Sequence, residues 1–155
     1  MVTRMTRSDL QPGERIAVSA CLLGLYCRYD GRCEPDERVV ALAGRHHLVP
    51  VCPEQLGGLP TPRQPVELRN GRAVTADGQD LSAEFQRGVQ QVEVLIDMLG
   101  IRVAVLQPRS PSCGSGIIYD GSFSGVRVPG DGLLSHRLKE IGIRVLTPED
   151  LADRI

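Results

Sequence analysis

The stretch Phe85-Gln86-Arg87-Gly88-Val89-Gln90-Gln91-Val92-Glu93-Val94-Leu95-Ile96-Asp97-Met98-Leu99-Gly100-Ile101-Arg102-Val103-Ala104-Val105-Leu106 decides the fold. Phe85, Val89, Val92, Ile96 and Leu99 recur at helical spacing and form one apolar stripe, and Gly100 supplies a stop. Val103–Leu106 is then apolar on both faces, the pattern of a parallel strand covered on both sides. A helix feeding such a strand is half of a βαβ unit, so the sheet it joins is mainly parallel. Ser110-Pro111-Ser112-Cys113 closes the loop that leaves it.

Working outward, Arg15–Ser19 reads as a first strand running into Cys21, and His47–Val51 as a second running into Cys52. Between them Asp36 is placed to cap a short helix, Glu37–Ala43, with Gly44 as its stop. From Cys52 to Pro65 the prolines and the Gly57-Gly58 pair predict an ordered loop rather than a helix or central strand. Val66–Leu68 and Ala73–Val74 around Asn70-Gly71 read as a hairpin, and Asp80 or Ser82 as the cap of the long helix. Ile117–Gly121 reads as a short edge strand and turn. Asp131 is placed to cap a helix bearing Leu134, Leu138 and Ile141, followed by a last strand, Ile143–Leu146, and a helical turn from Pro148. The expected fold is α/β: a single domain, residues 15–155, with a mainly parallel open sheet flanked by helices in a Rossmann-like three-layer arrangement. Residues 1–14 read as a polar tail.

The whole chain narrows the function classes. Its 155 residues suffice for a real core, and a net charge of −1 offers no footprint for duplex nucleic acid or an anionic membrane. Aromatics at 3% and no Trp argue against a base-stacking platform for single strands too, and a small molecule is the expected partner. No secretory signal follows Arg4 and Arg7, no apolar run is long enough to span a membrane, and a cytoplasmic location is expected. There, five cysteines point to metal ligands or reactive thiols rather than a disulfide framework.

Cys21, Cys52 and Cys113 each sit just past a strand exit, and loops at the carboxyl ends of neighbouring parallel strands converge on one crevice. Three thiols brought there can hold a metal centre with one position open. Closely paired cysteines of structural zinc are absent, as is a ferredoxin-like run. No Arg stands where a thiol phosphatase needs one, and His46, His47 and His136 lie outside the cysteine loops, which disfavours an activated cysteine nucleophile. Thiolates select soft metals and iron–sulfur clusters. Glu54 is then a candidate base, with Ser110 and Ser112 beside the third thiol. Cys27 and Cys33 read as a buried hydrophobe or an incidental thiol. The residues alone leave open a metal-dependent enzyme, a non-catalytic metal-binding or redox-sensing protein, and a metal-free cysteine enzyme.

Four segments in register sharpen this. Ser19-Ala20-Cys21-Leu22-Leu23-Gly24, Cys27-Arg28-Tyr29-Asp30-Gly31, Cys52-Pro53-Glu54 with Gly57-Gly58-Leu59-Pro60-Thr61-Pro62-Arg63, and Ser110-Pro111-Ser112-Cys113-Gly114 with Tyr119-Asp120-Gly121-Ser122-Phe123-Ser124-Gly125 together resemble the bacterial thiouracil desulfidase family. The resemblance spans Arg15 to Leu146. It implies a 4Fe–4S cluster held by Cys21, Cys52 and Cys113, with one open iron to bind a thiocarbonyl sulfur. It implies hydrolytic, non-redox cleavage of the carbon–sulfur bond in a thiolated pyrimidine base, nucleoside or nucleotide, releasing hydrosulfide. The family's acid/base carboxylate maps to Glu54 and its cluster-side serine to Ser110. Arg28 and Ser112 are candidate substrate contacts; Arg28 and Arg63 could each orient a carbonyl or a nucleotide phosphate, with a tie between loops the favoured role of both.

Overall fold

The computed structural model describes residues 10–151. Through them the chain runs β1 (Arg15–Ser19), α1 (Glu37–Val40), β2 (His47–Val51), α2 (Pro53–Leu56), β3 (Val66–Arg69) and β4 (Arg72–Thr75). It continues through α3 (Ser82–Leu99), β5 (Val103–Val105), β6 (Ile117–Tyr119), β7 (Arg127–Pro129), α4 (Leu133–Glu140) and β8 (Arg144–Leu146). The main sheet has four strands in the order β2-β1-β5-β8, every pairing parallel. This is the α/β fold with helices on both faces that the sequence predicts.

Alternation along the strands divides the core. Ile16, Val18, Val103 and Val105 face one layer, where they meet Val39, Leu42, Leu146 and Leu151. Ala17 and Ala104 face the other, where Val89, Val92 and Ile96 of α3 and Leu134 and Leu138 of α4 lie against the sheet. Small residues on that second face let the long helix approach closely. Leu10 is buried in the first layer, and Gly13 N donates to Arg45 O at 2.8 Å.

Several local expectations change. The helix begun by Asp36, whose carboxylate does accept from Arg38 N, keeps α geometry only to Val40 and tightens to a 3₁₀ turn over Ala41–Gly44. Leu81, not Asp80 or Ser82, occupies the cap position of α3, although Asp80 Oδ1 accepts from Ser82 N at 2.9 Å. Asp131 caps nothing: its Oδ1 accepts from Gly116 N at 2.8 Å and Lys139 Nζ at 2.9 Å, and Gly132 precedes α4. Ile117–Tyr119 does not edge the main sheet. It pairs antiparallel with Arg127–Pro129, a strand whose brevity and terminal Pro129 hid it. The segment from Cys52 opens with the helical turn α2; Pro53 is at its first position, where a missing N–H costs nothing.

That turn is seated by two glycines. A Cβ on Gly88 would stand 1.7 Å from Pro53 O, and one on Gly57 1.9 Å from Glu84 O. Only bare glycine at these two positions lets α2 lie on α3, and α2 carries Glu54 directly behind Cys52.

Candidate functional site

The exits of β1, β2 and β5 meet in a cavity of about 460 Å³ lined by Cys21, Cys27, Cys52, Cys113, Glu54, Ser110 and Ser112 among others. Ser19 ties two of these exits together: its buried Oγ accepts from Gln107 N at 2.8 Å. The chain then turns through Ala20–Leu23, ending on Gly24 in the left-handed region (φ 95°). Cys21 Sγ thereby lies 3.9 Å from Gln107 Oε1. Cys52 stands at the cap of α2 with Sγ 3.7 Å from Cys27 O.

The third thiol is held by a tightly bonded serine loop. Ser110 Oγ accepts from Ser112 N at 3.2 Å and Cys113 N at 3.0 Å, and Gly114 N donates to Ser110 O at 2.8 Å. The loop carbonyls in turn serve the helix behind: Pro111 O accepts from Leu133 N at 2.9 Å and Ser112 O from Leu134 N at 2.8 Å. This is why α4 needs no side-chain cap. Gly132 completes the fit, since a Cβ there would stand 2.6 Å from the Ser112 carbonyl.

Glu54 is gripped from two sides. Its Oε1 accepts from Arg63 Nε at 3.0 Å, and its Oε2 from Ser112 Oγ at 2.8 Å. Ser112 Oγ lies 3.0 Å from Ser110 Oγ. The Arg63 side chain is only 5% exposed and also donates to Cys27 O at 2.8 Å and Thr61 Oγ1 at 3.0 Å. A continuous polar chain therefore runs Arg63–Glu54–Ser112–Ser110 along the cavity wall.

Burial pushes the Cys113 thiol up to about 12. The hydrogen bond with Cys21 pushes Cys27 up to about 11, and Cys52 is raised by its hydrogen bond with Cys27 and by burial. Without metal these thiols hold their protons, so metal binding must release them. Among the described residues no three His, Cys, Asp or Glu side chains close on one point as the ligands of a single ion would. The thiols instead ring a cavity, and a soft, sulfur-only donor set of this kind suits a multi-iron cluster better than a lone hard cation.

The structure thus gathers Cys21, Cys52, Cys113, Glu54, Ser110 and Ser112 in one place. Arg28 lines the same cavity, but its guanidinium is ion-paired with Glu34, lies 3.7 Å from Asp30 and stands over the Tyr29 ring. Cys27 is buried in the apolar core, as its reading as a buried hydrophobe expects, and it also lines the cavity, whereas half-buried Cys33 lies off the cavity wall. Ser19, Gln107 and Glu67 also line the cavity and carry no mark in the sequence beyond, for Ser19, its nearness to Cys21.

Comparison with known proteins gives three matches. Residues 16–150 match the model of the 2-thiouracil desulfurase family. The chain is 36% identical over 148 residues to YbbK of Bacillus subtilis, an uncharacterized protein, with 89% of this chain and 98% of that one covered. It superposes with a TM-score of 0.83 on the solved structure of TudS, described as a 4Fe-4S-dependent thiouracil desulfidase. The two share 45% identity over 89% of this chain and 93% of that one.

Proposed function

Because the chain belongs to the 2-thiouracil desulfurase family, we propose that it removes sulfur from a thiolated pyrimidine by hydrolysis, at a 4Fe–4S cluster held by Cys21, Cys52 and Cys113. The observation that carries this reading is the Glu54 carboxylate, fixed by Arg63 and Ser112 on the wall of the cavity that the three thiols line. When bound, a three-cysteine cluster supplies an iron with an open position, a Lewis acid suited to a soft thiocarbonyl sulfur.

The chain's own residues supply the rest. Arg63 immobilises one oxygen of Glu54, which leaves Oε2, shared with the Ser112 hydroxyl, to take a proton from the attacking water. Addition of that water to the thiocarbonyl carbon and departure of the sulfur as hydrosulfide turn C=S into C=O with no change of oxidation state. The Ser112 hydroxyl proton is committed to Glu54, and the Ser110 hydroxyl, 3.0 Å from Ser112 Oγ, is placed to turn and donate to the anion that develops on the substrate. Arg28, braced by Glu34, shapes the cavity mouth and offers a second donor to an oxygen of the substrate. The partner is a small molecule rather than a nucleic-acid duplex, and the setting is the cytoplasm. Among the described residues no helix is long and apolar enough to cross a membrane.

The test is anaerobic reconstitution of wild type beside Cys21→Ser, Cys52→Ser and Cys113→Ser, with iron, acid-labile sulfide and turnover of 2- and 4-thiouracil measured together. About four irons per chain in wild type, lost in all three variants, with release of sulfide and uracil, is the expected result. A full cluster with no turnover would point instead to a metal-binding or redox-sensing role for the same thiols.

A further inference from the structure

Three carboxylates line the cavity: Glu54 has both oxygens bonded to Arg63 and Ser112, and Glu34, largely exposed, takes Arg28 and Gln107 together on Oε2. Glu67, half-buried on β3, differs. Its Oε1 accepts from Gly121 N at 3.0 Å and Phe123 N at 3.1 Å, while Oε2 has no hydrogen-bond partner among the described residues. The loop it holds is also fixed by Arg69, whose Nε and Nη2 donate to Gly121 O at 3.2 and 2.7 Å. Gly121 is packed so tightly that a Cβ there would stand 2.7 Å from Leu68 O. Anchored on one oxygen, the carboxylate cannot swing away and offers the other as a fixed, charged acceptor.

We infer that Glu67 is a substrate-binding residue whose Oε2 accepts a ring N–H of the thiopyrimidine. The inference rests on the proposed function and adds the part of the substrate that is recognised away from the sulfur. A thiopyrimidine carries lactam-type N–H groups beside its thiocarbonyl, and an N–H taken out of water must find an acceptor. Glu54 has no oxygen free of protein partners for it, and Glu34, whose side chain is 53% exposed, has its charge answered by Arg28.

Glu67→Gln separates this role from loop anchoring. Glutamine keeps an acceptor oxygen for Gly121 and Phe123 but sets an NH₂ donor where Oε2 faced the ring N–H. In the cluster-loaded enzyme KM for thiouracil should rise about 10- to 100-fold, the range of a hydrogen bond to a charged group, with kcat nearly unchanged. Calorimetry of uracil binding should show the same loss, with melting temperature and iron content as in wild type. Of the N1-methyl and N3-methyl thiouracils, one should be poorly bound by wild type to a similar degree, and Glu67→Gln should add no further loss for that analogue. An unchanged KM in Glu67→Gln, equal losses for both methyl analogues and the parent, or wild-type affinity for both analogues overturns the assignment. A cluster-loaded wild type that desulfurates neither thiouracil isomer overturns the proposed function itself.

Discussion

Glu54 is positioned before any substrate arrives, because Arg63 and the serine loop each hold one of its oxygens. Glu54→Gln preserves shape, its one oxygen accepting from Arg63 Nε and its NH₂ donating to Ser112 Oγ, yet it removes the proposed base. We expect iron content to stay at the wild-type level while kcat falls about 10²–10⁴-fold, the usual worth of a positioned general base; undiminished sulfide release would refute the role. Arg63 shows what sequence reading undervalues. As one arginine in a proline-rich loop it reads as a tie between loops, which it is, but only the fold shows it buried against Glu54 and Cys27 O. Cys27 is similar: nothing in its spacing separates it from Cys33, but one lies inside the thiol cavity and the other outside.

Elements transmit position to the site through close contacts at glycine. Gly88→Ala would drive a methyl into Pro53 O, so α2 must retreat from α3 and carry Cys52 and Glu54 with it. We expect a loss of about 1–3 kcal/mol in denaturant unfolding, together with reduced iron incorporation. Gly44→Ala, where a Cβ meets nothing within 4 Å, is the control and should leave iron content unchanged. The α3–α4 contact carries a pH-dependent increment. Hydrogen bonding and charge from Arg137 hold the Glu93 carboxyl below its ordinary value, with contacts of 2.9 and 3.1 Å. A depressed folded-state pKa contributes stability above the unfolded value of about 4.3, and that stability is lost as pH falls through the folded value. Glu93→Gln should therefore cost no more than about 1 kcal/mol at pH 7, less in high salt, and progressively less as the pH is lowered through the acid range. Equal destabilisation across that range would count against the ion pair.

At the scale of the whole molecule, the sheet is held by two layers of predominantly aliphatic packing. Removing iron with a chelator should leave far-UV circular dichroism unchanged and lower the melting temperature, since a ligand bound to the native state stabilises it by mass action. Collapse of the helical signal would instead make the centre a folding requirement. Strand positions and the long helix were legible in the chain because they are local, and the convergence of Cys21, Cys52 and Cys113 because a parallel sheet imposes it. Apolar period sets the elements, and parallel pairing forces strand exits to one edge. The β6–β7 hairpin, the seating of α2 by Gly57 and Gly88, the burial of Arg63 and the half-free carboxylate of Glu67 were decided only by tertiary structure. Each depends on partners that lie far along the chain and become neighbours only once the layers pack. Sequence alone thus determined which reactive side chains the loops carry, and packing determined which of them share a cavity.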